Sequence, residues 1–311
     1  SNGATTATTT GLVAGSYSVT VTDDNGCTAT ANTTVSNSLA GPVHNTTTGL
    51  NYCSIQAAID AAATTNGDVI TVDAGTYAEN VVVSKSVTIN GPNAAINACS
   101  GSRVAEAIVV PATAAISAGE IFHVAASNVT ISGLTIDGDN PSLTSGYSST
   151  NGADIDAAEG ITVYETAINN LTVSNNIIQN LSYFCVTLYD YPTGAASSGH
   201  VISDNKIQNL GTYDAGSGIN FWGGGVLLYN NQYTAVLNNC MDNVRIGVQT
   251  GNFSKANPGT LASQLIDGNT MTNVRRLGIM HNLQYSLAST YTVSNNSITA
   301  TSNVNETKWD G

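Results

Sequence analysis

Two short stretches of the sequence bring carboxylates together, and carboxylates are oxygen ligands that calcium prefers. The stretches read "DGDN" and "DIDAAEG", and the second ends a long insertion. Their side chains can converge on one Ca²⁺ ion, although the spacing fits no calcium-loop motif. Turn-forming aspartates in acidic loops are the alternative interpretation. The calcium hypothesis, with Ca²⁺ as the one candidate cofactor, rests on Asp137, Asp139, Asp154 and Asp156.

Aromatic side chains form a second candidate site, one for a sugar. They make up only 6% of the sequence, yet they concentrate in its middle. Exposed flat rings beside carboxylates suit stacking on sugar rings. The alternative is that long loops fold back and these rings cover the wall of the protein. The candidate ligand-binding residues are Tyr189, Asp190, Tyr191, Asp214, Trp222 and Tyr229.

The residue types supply no convincing catalytic set. A polysaccharide lyase needs a base, often Lys or Arg, and commonly a bound Ca²⁺ that acidifies a sugar proton. A glycosidase needs two carboxylates that face each other across the sugar. The sequence contains only eight Lys and Arg residues, and no carboxylate pair recurs at the spacing of its repeats. We therefore predict no catalytic residue and favour a protein that is not an enzyme; a polysaccharide lyase is the enzyme we would otherwise expect.

Composition limits the partners of this chain of 311 residues. Its net charge is −13 and only 9% of its residues are charged, far below the usual fraction of roughly a quarter. Nucleic acid and anionic membranes are poor partners for such a surface, whereas metal cations and neutral sugars are compatible with it. No apolar run approaches the roughly 18 residues of a membrane span, so we expect no membrane insertion.

A ten-residue element repeats through the second half of the chain and must position these candidates. The stretch "TVSNNIIQNL" at 172–181 returns loosely four times, at intervals of 27 to 34 residues. Apolar residues recur three positions before, two after and five after the second asparagine of the pair. Stacked at about 4.8 Å per coil, they predict continuous apolar ladders. We predict a structural ladder of side-chain amides, at a corner between strands, from Asn176, Asn205, Asn239, Asn269 and Asn296.

The segment 53–93 reads as one helix followed by short strands. Ile55, Ile59 and Ala62 fall on one helical stripe, and "VITV", "NVVV" and "SVTIN" follow as short apolar strands. The run "IQAAIDAA…GDVITVDAGTYAENVVVSKSVTINGPN" resembles the opening of right-handed parallel β-helix proteins of the pectin-lyase-like superfamily.

That resemblance implies the fold and an alternative function. The fold is all-β, a right-handed parallel β-helix of about eight coils over residues 41–311, with a capping helix near 53–65. Several members of the superfamily are polysaccharide lyases or glycosidases with sites on the outer face of the helix. A secreted enzyme of either kind is therefore the first alternative to a non-catalytic protein.

The chain has five cysteines, an odd number, so at least one lacks a partner within it. Cys53 lies at the start of the predicted helix, and Cys99 follows the first coil. We expect these two to form a disulfide that ties the cap to the first coil, and two free thiols are the alternative. No pair is spaced as CxxC and no His lies near, which argues against a zinc site.

The first segment reads as a β-hairpin. Tyr17, Val19 and Val21 share one face, and "DDNG" is a hairpin-turn signal before a second alternating run. A third short strand is expected in "TTATTT". The stretch "LVAGSYSVTVTDDNGC" at 12–27 closely resembles the core of an SprB-type repeat, an Ig-like module of surface adhesins in gliding Bacteroidetes.

The family's first half, which supplies the cysteine that would pair with Cys27, is absent. Residues 1–40 are therefore predicted to be a partial Ig-like SprB-type repeat, and we expect the sequence to be a piece of a longer exported chain. The resemblance implies type IX secretion to the cell surface. The favoured function is a non-catalytic extracellular module of a large adhesin or filament that binds carbohydrate or a surface through its outer-face loops. A second alternative is a self-assembling fibre subunit completed by strand exchange between copies.

Overall fold

The computed structural model describes residues 15–35, 41–165, 167–190, 197–211, 222–231, 233–252, 263–283 and 290–301. By contacts the chain divides into two compact units, Ser1–Gly41 and Pro42–Gly311. Each unit is described by itself below.

The first unit contains the predicted hairpin. Strands β1 (Gly15–Thr22) and β2 (Thr28–Val35) pair antiparallel throughout their length. The Asp23 carboxylate accepts the backbone N–H groups of Asn25 and Cys27 at 3.0 and 2.8 Å, which closes the turn. The third strand expected in "TTATTT" lies outside the described residues.

The described residues of the second unit form three sheets and one short helix, α1 (Ile55–Asp60). Sheet I has ten strands: β3 (Val43–Asn45), β4 (Leu50–Tyr52), β5 (Val69–Val72), β8 (Thr88–Asn90), β11 (Thr130–Ser132), β14 (Thr172–Ser174), β17 (Ser198–Ser203), β20 (Tyr233–Leu237), β23 (Ser263–Asp267) and β26 (Thr290–Ser294). Sheet II has eight strands: β6 (Gly75–Ala78), β9 (Ala107–Val110), β12 (Thr135–Asp137), β15 (Ile177–Gln179), β18 (Lys206–Gln208), β21 (Cys240–Asp242), β24 (Thr270–Val274) and β27 (Ser297–Ala300). Sheet III has seven strands: β7 (Val81–Val83), β10 (Ala115–Val124), β13 (Ala157–Val163), β16 (Phe184–Tyr189), β19 (Gly224–Tyr229), β22 (Ile246–Asn252) and β25 (Leu277–Leu283).

The chain visits the three sheets in the same order, and we call each pass through sheets I, II and III a repeat. From β5 to β27 every strand pairs in parallel with its counterpart in the next repeat, for example β14 with β17 and β15 with β18. The first two strands of sheet I, β3 and β4, pair antiparallel. This order is compatible with a parallel β-helix.

Helix α1 covers the first edge of sheet III. Its N-cap residue Ser54 accepts the N–H of Ala57, and Ile55 and Ile59 are fully buried. The Gln56 side chain bonds both the N–H and the carbonyl of Val82 in β7. The helix therefore saturates a strand edge that would otherwise recruit another chain. It is shorter than the predicted span 53–65.

Apolar columns fill the space between the sheets, as the repeats predict. In sheet I one column places Val173 against Ile131 and Ile202 in the neighbouring strands. In sheet II another places Ile178 between Ile136 and Ile207. All six side chains are fully buried. Each such side chain contributes roughly 1.5–3 kcal/mol by leaving water.

The corner between sheets I and II contains the asparagine ladder. Asn176 donates both its backbone N–H and its Nδ2 to Oδ1 of Asn205, at 3.0 and 3.2 Å. Asn205 bonds Asn239 in the same way, Asn239 bonds Asn269, and Asn269 bonds Asn296. The second Nδ2 hydrogen of each goes to a backbone carbonyl, such as that of Ile131 for Asn176. The ladder buries amides at little cost because their hydrogens have partners.

A loop of residues 91–106, which we call the strap, runs along the outside of this corner. Asn97 donates to the Asp204 carboxylate at 2.7 Å, and Arg103 donates to the Asn175 carbonyl at 2.8 Å. The strap therefore lies across several repeats before it returns to the first coil, where the Glu106 carbonyl accepts the N–H of Gly75 in β6.

The path of the strap determines which cysteine pairs with Cys99, and the expected Cys53–Cys99 bond is wrong. Cys99 pairs with Cys240 in β21, with 5.7 Å between their Cα atoms. The sequence places Cys99 just after the first coil, but hydrogen bonds from later repeats draw the strap along the corner to Cys240. Cys53 and Cys27 are exposed free thiols, and Cys185 is a buried one.

Candidate functional site on the outer face of sheet III

The outward side chains of sheet III change from one repeat to the next. One row runs in register through His123, Thr162, Thr187, Leu227 and Gln249. Their sequence neighbours on both sides lie in the interior, so these five side chains point outward. Thr187 is nevertheless fully buried, and Gln249 is only 5% exposed. The outer face of sheet III is therefore largely polar, yet part of it is shielded from solvent.

Glu159 is the buried charge of this face. It is 3% exposed, and its carboxylate accepts the hydroxyl of Thr187 and, at 2.5 Å, the hydroxyl of Tyr164. Burial raises the pKa of Glu159 to about 7, and the negative charge of Glu120 raises it further. Burial also raises the pKa of Tyr164, so this hydroxyl remains a hydrogen-bond donor.

Two carboxylates flank one histidine beside this position. His123 Nε2 lies 2.6 Å from Glu165, and His123 Nδ1 lies 3.4 Å from Glu120. Glu120 pairs with Glu159 in register on the neighbouring strand. The side chains of Glu120, His123 and Glu165 are 30%, 23% and 39% exposed, so a ligand can reach them. We call Glu120, His123, Glu159 and Glu165 the acidic cluster.

Three tyrosine rings continue from the cluster across the repeats, and we call Tyr164, Tyr189 and Tyr229 the tyrosine strip. The ring centroids of Tyr164 and Tyr189 are 6.2 Å apart, and those of Tyr189 and Tyr229 are 5.5 Å apart. All three residues are half-buried. Gln249 donates its Nε2 to the Tyr229 hydroxyl, and its buried Oε1 has no hydrogen-bond partner. The strip therefore combines flat apolar faces with an unused acceptor.

The residues predicted to bind a ligand fall into three groups. Tyr189 and Tyr229 lie in the strip. Trp222 is half-buried, its ring edge-to-face with Tyr183 at 6.5 Å, and the Arg245 guanidinium lies 5.3 Å from its ring centroid. Tyr191 and Asp214 lie outside the described residues.

Asp190 is the exception, and its assignment as a ligand-binding residue is corrected. It is 1% exposed, and its carboxylate accepts the N–H and hydroxyl of Ser197 and the Nδ2 of Asn231. Burial raises the pKa of Asp190, and these hydrogen bonds lower it. The side chain is part of the scaffold because its oxygens are already bound inside the protein.

The four aspartates of the calcium hypothesis come near one another, and Asp137 and Asp154 bond both of their oxygens to protein donors, whereas Oδ1 of Asp156 has no hydrogen-bond partner among the described residues. Burial raises the pKa of Asp139, and the negative charges of Asp137, Asp156 and Asp154 raise it further. Asp137 accepts Gln179 and Asn180 side chains and a backbone N–H, and Asp154 accepts the N–H and hydroxyl of Ser145. The fully buried Asp156 accepts the Asn140 N–H. Throughout the described ranges, no group of three or more His, Cys, Asp or Glu has the arrangement to hold a metal ion.

Sequence reasoning missed the acidic cluster. One signal was present, because Glu159 interrupts the otherwise apolar and small run "AAEGITV" of β13. A lone charge in a strand whose residues are all buried must find partners or shift its pKa. The other members are separated by long loops, so their positions in the sheet do not follow from the sequence.

The comparisons with known proteins point to the cell surface. No family model matches the chain. It is 30% identical over 213 residues to a protein described as a cell surface glycoprotein of Methanothermus fervidus. The match covers 59% of this chain and 29% of that protein, so the chain spans less than a third of the relative's length. Within the described residues, helix α1 falls far short of the length needed to cross a membrane. Because the match covers only part of each protein, the location and activity of this chain are matters for proposal.

Proposed function

We propose that this chain is a non-catalytic extracellular module of a large surface adhesin or filament, and that it binds carbohydrate through the outer face of sheet III. The tyrosine strip carries the proposal, because three half-buried rings lie in consecutive repeats, with centroids 6.2 and 5.5 Å apart and ring planes inclined at 48° and 62°. The similarity to a cell surface glycoprotein and the acidic, weakly charged composition support the location.

The finer architecture belongs to the same proposal. The order of the three sheets supports a right-handed parallel β-helix of about eight coils of the pectin-lyase-like kind. The hairpin supports a partial SprB-type repeat at residues 1–40, and with it export by type IX secretion. Self-association by strand exchange stays a prediction.

Physical complementarity favours a sugar over other ligands. Half-buried tyrosine rings offer flat faces to the C–H groups of a pyranose, and they lose little conformational entropy on binding. The partly exposed carboxylates of Glu120 and Glu165 can accept hydrogen bonds from sugar hydroxyls. A covered polar face with few convergent groups is the usual composition of a small-molecule site.

The test is a glycan array followed by calorimetry with the strongest ligand. Tyr189→Ala and Tyr229→Ala should each weaken binding about tenfold or more, because each removes a stacking face. Tyr233→Ala is the matched control, since Tyr233 is 37% exposed at the start of β20 in sheet I. Equal binding by all three variants, or an array without any ligand, would remove the proposal.

Glycoside hydrolysis is the second candidate function, and one observation favours it. Glu120 and Glu159 are paired in register on β10 and β13, strands that lie about 4.8 Å apart. A carboxyl with its pKa near 7 suits a general acid. Release of reducing ends from a polysaccharide, abolished in Glu159→Gln, would establish this activity. Release that persists in the variant would contradict it.

A further inference from the structure

We propose that the Cys99–Cys240 disulfide is a mechanical clasp, which keeps a pulling force on the chain away from the repeats that contain the candidate site. This inference goes beyond ligand binding. It rests on the proposed function in one respect, because a module of a surface adhesin or filament carries load between its attachment and the surface that it binds. The position of the disulfide in the chain and in the fold supports it.

The disulfide closes a long covalent loop. Cys99 and Cys240 are 141 residues apart in sequence, and their Cα atoms lie 5.7 Å apart. A force applied along the chain reaches Cys99, crosses the two sulfur atoms and continues from Cys240. The residues between the two cysteines therefore cannot be drawn out while this bond is intact.

The loop contains the candidate site. Every residue of the acidic cluster and of the tyrosine strip lies between the two cysteines, from Glu120 to Tyr229. In sheet III the loop includes β10, β13, β16 and β19, whereas β7 precedes it and β22 and β25 follow it. The repeats at either end of the second unit are thus in the path of the force, and the repeats of the site are not.

The strap brings Cys99 to its partner across several repeats. The Ala94 carbonyl accepts the Nδ2 of Asn175, which follows β14, at 2.7 Å. In the next repeat, Asp204 accepts the Nδ2 of Asn97 at 2.7 Å. Cys240 lies one repeat further, in β21. The strap therefore runs in the stacking direction, in which the parallel sheets are held by ladder hydrogen bonds and by side-chain packing, and the disulfide adds a covalent bond across them.

The bond is accessible to thiol reagents, and this makes the inference testable in the folded protein. Cys99 is exposed and Cys240 is half-buried. Thiol–disulfide exchange needs access of a thiolate to one of the two sulfur atoms. A reagent can therefore open the clasp without prior unfolding of the repeats.

The experiment stretches single molecules of the full chain, held by peptide tags at both ends, in an optical trap. Without reductant we expect unfolding to end roughly 500 Å short of the full extended length, at about 3.3–3.6 Å for each of the 141 residues that the disulfide withholds. Dithiothreitol added under load reduces the disulfide to two thiols, while the reagent is oxidised to its cyclic disulfide. The withheld length should then be released.

Two variants complete the comparison. Cys240→Ala should reach the full length with or without the reagent. Cys53→Ala is the matched control, because Cys53 is an exposed free thiol, and it should keep the shortfall of the parent chain. Full extension of the parent chain without reductant, or the same extension for the parent and Cys240→Ala, overturns the inference.

The failure of this inference and that of the proposed function can be told apart, because stretching requires no ligand. A shortfall that dithiothreitol abolishes, in a protein that binds nothing on the glycan array, supports the clasp and removes the proposed function. Full extension without reductant, in a protein that binds a glycan, does the reverse. Thermal unfolding shows whether Cys240→Ala is folded before it is stretched. If it is not, the parent chain before and after reduction gives the same comparison without a substitution.

Discussion

The corner between sheets I and II and the outer face of sheet III both bury polar side chains, but they do so in opposite ways. The corner repeats one neutral residue, and each Asn amide gives its hydrogens to the next Asn and to a carbonyl. The outer face changes residue through most of its repeats and includes a carboxylate whose pKa burial raises to about 7. It also leaves acceptors on Glu165 and Gln249 without partners.

This difference distinguishes the residues that hold the fold together from those of the candidate site. A polar group that recurs at every repeat can satisfy its neighbours along the stack, so repetition alone stabilises it. A buried polar group that occurs once must find its hydrogen-bond partners in loops and in neighbours of other residue types. It is retained only where another contribution offsets the free energy of burying it. The repeats therefore describe what holds this protein together, and the departures from them are where we propose that it binds a ligand.

Breaking an inward column should have the largest effect. Ile178→Asp places an unpaired carboxylate between Ile136 and Ile207, with no solvent contact. We expect a loss of at least about 5 kcal/mol, enough to unfold the neighbouring repeats. Circular dichroism during thermal unfolding measures it. Ile177→Asp is the matched control, because Ile177 is half-buried and faces outward in the same strand. A normal melting temperature for Ile178→Asp would refute the scaffold assignment.

Interrupting the ladder should cost slightly less. Asn205→Leu keeps the size of the side chain but removes the acceptor of the Asn176 N–H and Nδ2, which leaves two buried donors unpaired. The expected loss is about 4 kcal/mol in urea unfolding.

The control for the ladder is Asn273→Gly, at an exposed corner with a φ of 50°. Glycine accepts this backbone conformation, so only the hydrogen bond to Asp242 is lost, at about 1 kcal/mol. Equal losses in the two variants would mean that the ladder is no more than a set of ordinary corner bonds.

These two regions also differ in how far the sequence predicts them. The columns and the ladder follow from spacing alone, because residues such as Asn176 and Asn205 hold the same position in successive copies. The disulfide does not, since the partner of Cys99 depends on the path of the strap past Asp204 and Asn175. Contacts between residues far apart in sequence determine that path.

The acidic cluster was unpredictable for a related reason. Glu120 and Glu159 belong to neighbouring repeats separated by a long insertion, so the loop length gives no register. Whether a carboxylate in such a strand is exposed or covered depends on Tyr164 and the other side chains that fold over it. The spacing of the repeats predicts the scaffold. The exposure and pKa of a side chain on its surface depend on tertiary packing, which the spacing does not predict.

The outer face can be tested through the pH dependence of folding. Glu159 has a pKa of about 7 when folded, against 4.5 for the unperturbed side chain. Between these values the folded state holds a proton that the unfolded state has released, so Glu159 lowers stability progressively as pH rises from about 4.5 to 7. The full cost, roughly 3 kcal/mol at about 1.4 kcal/mol per pKa unit, remains at pH 8.

Glu159→Gln removes this titration while keeping the shape of the side chain. We expect the variant to be more stable than the parent protein at pH 8 and nearly equal at pH 4.5, measured by urea unfolding at both. The groups facing Glu159 are Glu120, Tyr164, Tyr183 and Thr187, and they stay in place. A difference that is the same at both pH values would show that the Glu159 carboxylate carries no cost of charge burial.

The smallest expected effect comes from removing one hydrogen bond to the Glu159 carboxylate. Thr187→Val is nearly isosteric and removes the hydroxyl that donates to the Glu159 carboxylate. Because this bond lowers the pKa of Glu159, its loss should raise that pKa and cost about 1 kcal/mol at pH 8, where the carboxylate is ionised. At pH 4.5 the cost should shrink, since the protonated group needs the donor less. Thr135→Val, at a buried hydroxyl of β12 with no hydrogen-bond partner among the described residues, should show no such pH dependence. If the stability of both variants depends on pH in the same way, the Thr187 hydroxyl does not bind the ionised Glu159 carboxylate more strongly than the protonated one. The outer face would then resemble the asparagine ladder, whose hydrogen bonds involve no titrating group.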